Sequence, residues 1–108
     1  MMGEGTMVRR RRALVVEDNP DARALVSTYL RTMDLEVTAV AEGRSAIRAL
    51  QLAPPDLVCL DLMLPELSGF EVCEFMRSQR ELKDVPILVM SARAKPMDSM
   101  RVLTDPVS

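Results

Sequence analysis

Leu57-Val58-Cys59-Leu60-Asp61-Leu62-Met63-Leu64-Pro65-Glu66-Leu67-Ser68-Gly69-Phe70-Glu71 runs from an unbroken apolar stretch into an acid and then into a helix start. Four consecutive apolar residues with no alternation and no helical spacing read as a short strand covered on both faces. Ser68-Gly69-Phe70-Glu71 has the Ser-x-x-Glu form of a capping box, and Val72, Cys73 and Met76 supply the buried face of the helix it opens. A doubly covered strand followed by a helix is half of a β-α-β unit, which implies a parallel sheet.

The text on either side repeats that unit. Upstream, Ala13-Leu14-Val15-Val16 is a second apolar run and ends at Glu17-Asp18. Asn19 suits a helix cap and Pro20 the first turn, where its missing N–H costs nothing. Ala22, Leu25, Val26, Tyr29, Leu30 and Met33 then recur at three- and four-residue spacing, as one apolar helix face. Residues 35–40 alternate, with Leu35, Val37 and Ala39 on one side and Glu36 and Thr38 on the other, the pattern of an edge strand with a wet face. Ala46, Ile47, Ala49, Leu50 and Ala53 mark a second helix over 42–53, stopped by Pro54-Pro55. Downstream, Pro86-Ile87-Leu88-Val89-Met90 is a third apolar run, ending at Ser91.

The order is therefore β-α-β-α-β-α-β, an α/β fold with helices on both faces of a doubly wound parallel sheet. Right-handed crossovers place the first, third and fourth strands side by side and the alternating second strand at an edge, in the order 2-1-3-4.

With 108 residues there is room for one domain. Its 48% hydrophobic and 28% charged residues are ordinary for a globular protein. A net charge of −2 makes no bulk case for nucleic acid or membrane, and Arg9–Arg12 read as a solvated lead-in to the first strand. No apolar stretch approaches the roughly 20 residues needed to span a bilayer, and Met1 to Met7 lack a signal-peptide core, so a cytoplasmic protein is expected. Cys59 and Cys73, lacking Cys-x-x-Cys spacing, read as small buried hydrophobes. Histidine is absent, which excludes a phosphohistidine, a Ser-His pair and His-ligated zinc within the chain.

In open parallel sheets, sites form beyond the carboxyl ends of the strands, where the strand order reverses. Those ends carry Glu17 and Asp18, then Asp61, then Ser91. Taken singly, Glu17-Asp18 reads equally well as a mere polar strand end and Asp61 as a loop carboxylate, while Ser91 reads first as a plain turn residue. Together they put three carboxylates in one shallow cleft. Like charges about 5 Å apart repel by about 3 kcal/mol per pair at an effective dielectric near 20, so the cluster calls for a cation. All-oxygen ligands with room for water favour Mg²⁺, which prefers one or two carboxylates plus phosphate oxygens. A carboxylate can itself accept phosphate as an acyl phosphate.

Here the chain resembles the receiver domain of two-component response regulators. Glu17-Asp18 is similar to the family's acidic pair. Asp61 through Gly69 resembles its phosphoacceptor loop, with Pro65 and Gly69 in place, and Ser91-Ala92 its switch hydroxyl and small neighbour. Asp61 follows Asp18 by 43 residues and Ser91 follows Asp61 by 30. The resemblance covers roughly residues 12–98 and implies a flavodoxin-like fold. It also implies that Asp61 accepts phosphate from a histidine kinase or a phosphotransfer protein. Asp18 would then bind Mg²⁺ directly, Glu17 mainly through water, the backbone carbonyl of Met63 would complete the shell, and Ser91 would bond a phosphoryl oxygen.

The resemblance also implies a fifth strand ending in Lys-Pro, about 20 residues past Ser91, one further crossover along the chain. Lys95-Pro96 comes only four residues after Ser91, in the loop after the fourth strand, and reads as loop. The expectation is thus a disordered tail over 1–8, an incomplete receiver-like domain over 9–98 lacking the fifth strand and last helix, and a non-family tail over 99–108. Ile87–Met90 would then offer a bare apolar edge for self-association. The alternative to a working receiver is a truncated, signalling-impaired one serving as an interaction or decoy module. Enzyme readings are poor. A strand-end phosphatase of the haloacid dehalogenase type would carry Asp at Met63, and Glu17-Asp18-Asn19-Pro20-Asp21-Ala22 lacks the glycines of a dinucleotide turn.

Overall fold

The computed structural model describes residues 10–90 and the strand 101–103. The elements follow the anticipated alternation: β1 Arg12–Val16, α1 Pro20–Thr32, β2 Glu36–Val40, α2 Gly43–Leu52, β3 Leu57–Asp61, α3 Gly69–Ser78, β4 Ile87–Met90 and β5 Arg101–Leu103. Four strands lie parallel in the order β2-β1-β3-β4. The apolar runs are continuous because both faces of the sheet are covered. Leu14 and Val16 of β1 enter a core with Ala46, Leu50, Val72 and Met76 of α2 and α3. Ala13 and Val15 point the other way, to Leu30 of α1 and Cys59 of β3. Each Val, Leu or Met among them stabilises the fold by roughly 1.5–3 kcal/mol when fully buried.

Caps define the helix starts. Asn19 Oδ1 accepts from the Ala22 N–H at 2.9 Å, and Ser68 Oγ from the Glu71 N–H at 3.4 Å. The α1 face is narrower than its apolar spacing suggested. Ser27 and Leu30 are buried, but Leu25, Tyr29 and Met33, at i, i+4 and i+8, are exposed. Six apolar residues spread over a wider arc than one helix can press onto a sheet, and the flank carrying these three turns outward. On β2, Val37 joins the α1-side core and Val40 the opposite one, while Ala39 is exposed, against the expected inward position.

The bare fourth edge also needs correcting. β5 pairs antiparallel with β4, Leu88 opposite Val102, so the backbone groups of the outer edge are occupied over three residues. A parallel partner would need a full crossover, whereas an antiparallel one needs only a reversal of the chain. The expected reason for edge-to-edge self-association is removed along that stretch. The tails assigned to 1–8 and 99–108 otherwise fall outside the described residues, as do Ser91 and Lys95-Pro96.

Candidate acidic site at the carboxyl ends of the strands

β1 and β3 are adjacent in register, with Val16 opposite Leu60, so the residues that follow, Glu17 and Asp61, leave the sheet side by side. Glu17 is anchored by its N–H, which donates to the Val40 carbonyl of β2 at 3.1 Å. Its Oε2 accepts from the Asn19 N–H at 3.0 Å. Asp61 Oδ1 accepts from the Met63 N–H at 2.9 Å. Glu17 and Asp61 are buried, each 2% exposed, and Asp18 is exposed. One carboxylate oxygen from each of Glu17, Asp18 and Asp61 lies within 4.8 Å of the other two.

The electrostatics follow from that crowding. Burial, above all, raises Glu17 from the ordinary 4.5 to about 7. The Asn19 N–H pulls it down, while the charge of Asp61 and hydrogen bonding to Asp18 and Asp61 push it up further. Cys59, buried between the layers, is pushed up to about 11 by desolvation and is free, as is the half-buried Cys73. Neither belongs to the site.

The loop after Asp61 is held from two directions. At Gly69 an added Cβ would run into the Asp61 carbonyl oxygen and come within 2.6 Å of the Leu62 Cα. At Gly43, opening α2, it would come within 2.5 Å of the Leu67 carbonyl oxygen. Both glycines therefore allow helix starts to touch the loop backbone. Glu66, between them, adopts the left-handed conformation at φ 59°.

Of the residues singled out in the sequence, Glu17, Asp18, Asp61 and Met63 come together, and Ser91 lies outside the described residues. Sequence reasoning missed Arg23. Its Nη1 donates to the Glu17 carbonyl at 2.9 Å and the Asp18 carbonyl at 3.4 Å. The available signal was an arginine in the second turn of the helix that starts right after the acidic pair.

A doubly wound sheet with three strand-end carboxylates gathered at its switch point defines a class of α/β protein with an acidic pocket that could hold a metal ion. The particular family follows from comparison: the response regulator receiver domain matches residues 13–106, and the chain belongs to that family. It is 41% identical over 91 residues to the sensor histidine kinase TmoS of Ectopseudomonas mendocina, covering 84% of this chain and 9% of that protein. It is 35% identical over 89 residues to the DNA-binding response regulator MtrA of Mycolicibacterium smegmatis, covering 82% and 38% respectively. Among solved structures it resembles the phosphorylated cyanobacterial phytochrome response regulator RcpA, with a TM-score of 0.72 and 31% identity over 83% of this chain and 71% of that one. The chain thus spans well under half of the curated relatives it matches. No helix among the described residues is long and apolar enough to cross a membrane.

Proposed function

We propose that this receiver domain takes a phosphoryl group on Asp61 from a histidine kinase or a phosphotransfer protein, with Mg²⁺ held at Glu17, Asp18, Asp61 and the Met63 carbonyl. The observation that carries the reading is the gathering of three carboxylates, two of them buried, within 4.8 Å around an aspartate fixed by the Met63 N–H. The donor set fits: it is all oxygen, and burial together with the neighbouring carboxylates disfavours the Glu17 charge unless a cation or a proton offsets it. Bound there, Mg²⁺ would offset repulsion between the carboxylates and the incoming phosphoryl group.

The chain's own residues supply position. The bond from Met63 fixes the Asp61 carboxylate through Oδ1, and Oδ2 is the attacking oxygen. A P–O bond forms at Oδ2 as the donor's P–N bond breaks, and the donor imidazole leaves with the electron pair. Ser91, following β4, is assigned the bond to a phosphoryl oxygen. The same reading makes the domain a signalling module, not an enzyme acting on a small-molecule substrate. Incubation with acetyl phosphate and Mg²⁺, read by intact mass, should add one phosphoryl group to the chain and none to Asp61→Asn. Equal labelling of that variant, or a label mapped to another residue, removes the assignment. A folded chain that takes no label leaves the decoy module as the reading.

A further inference from the structure

Of the three carboxylates, two are positioned by the sheet. Asp61 closes β3, and Glu17 is tied to β2 through its N–H. Asp18 is not: it is exposed and lies past the last ladder bond of β1. Its place is set by the β1–α1 turn, which Glu17 Oε2 and Asn19 Oδ1 brace by accepting from the Asn19 and Ala22 N–H groups and which Arg23 grips at its carbonyls. The half-buried Arg23 donates Nη1 to both carbonyls that flank the turn, Glu17 at 2.9 Å and Asp18 at 3.4 Å. A guanidinium nitrogen of this kind carries two hydrogens, one for each carbonyl. Among the described residues Arg23 makes no ion pair with a carboxylate, so its charge is spent on backbone.

We propose that Arg23 is a positioning residue of the acidic site: by bridging the Glu17 and Asp18 carbonyls it orients the peptide between them and aims Asp18 at Glu17 and Asp61. The inference rests on the cation-dependent reading above. Its sign separates it from a simple charge effect. A permanent cation beside the cluster opposes a second cation, so if charge were all that Arg23 contributed, removing it would tighten Mg²⁺ binding. If it orients a ligand, removing it loosens binding, as loss of groups that orient metal ligands does, by about 10–100-fold.

The test is Mg²⁺ titration of this chain and its variants, followed by the amide shifts of Asp18, Asp61 and Met63, at a temperature where circular dichroism shows each protein folded. Arg23→Ala should bind Mg²⁺ about tenfold more weakly. Arg23→Met, which keeps the apolar stem over the turn, should do the same and serves if the alanine variant does not fold. Arg23→Lys, with donors on one nitrogen at similar reach, should recover part of the affinity. Unchanged or tighter binding in the alanine and methionine variants overturns the proposal. A wild-type chain that binds no Mg²⁺, or binds it undiminished after Asp18→Ala, overturns the cation reading itself and this inference with it.

Discussion

Replacing Glu17 by Gln isolates the cost of holding a charge at this buried, crowded position. The rise of Glu17 from 4.5 to about 7 corresponds to a ceiling of about 3 kcal/mol. Burial is the largest part of that cost, and the charge of Asp61 with hydrogen bonding to Asp18 and Asp61 adds to it. The pull of the Asn19 N–H on the charged form is already contained in that net rise. The net expectation is a gain of up to about 3 kcal/mol at pH 8 without divalent cations, or roughly 15 °C in Tm for a domain of this size. The pH dependence follows from the direction of the shift. Below 4.5 Glu17 is protonated in both folded and unfolded chains. Between 4.5 and about 7 the folded chain keeps a proton that the unfolded chain releases, so this contribution falls as pH rises and is lost above about 7. At pH 4 the two proteins should therefore melt within a degree or two of each other, and the gap should open by pH 8. Saturating Mg²⁺ should invert the order, since it stabilises whichever folded chain binds it more tightly. The assay is thermal unfolding by circular dichroism at both pH values, in EDTA and then in Mg²⁺. Coincident melts at pH 8 in EDTA would refute the claim that Glu17 holds its charge at a cost.

Three further substitutions read other features. Gly69→Ala gains at most about 1 kcal/mol of helix propensity. It forces a Cβ into the Asp61–Leu62 backbone, so a net loss of about 1–2 kcal/mol in urea unfolding and slower Asp61 labelling are expected; a stabilised, fully reactive variant would show that the loop tolerates displacement. Ser27 Oγ is buried with no hydrogen-bond partner among the described residues, so Ser27→Ala should stabilise the fold by about 1 kcal/mol; a loss of stability would reveal a bond to that hydroxyl. Glu66→Gly relieves a left-handed residue worth about 1 kcal/mol but loosens the unfolded chain by a comparable amount. Its unfolding midpoint should stay close to wild type, and a loss above about 2 kcal/mol would mean that the Glu66 side chain holds the loop.

Most of the fold was legible in the chain because it depends on local periodicity. The unbroken runs at Ala13–Val16, Leu57–Leu60 and Ile87–Met90 belong to strands covered on both faces, and that condition writes itself into sequence. Asn19, Pro20 and Ser68 mark helix starts because their bonding partners lie within four residues. The sheet rule then brings Glu17, Asp18 and Asp61 to one end of the strands. Tertiary structure alone decided what depends on direction in space. Whether Leu25, Tyr29 and Met33 face the sheet or the solvent is a question of which flank of α1 is pressed down, and spacing cannot answer it. The antiparallel return of Arg101–Leu103 onto β4 comes from a pairing between segments with no shared pattern. The grip of Arg23 on two carbonyls is invisible in sequence for the same reason: backbone oxygens carry no residue identity, so a side chain that binds them leaves no partner to read.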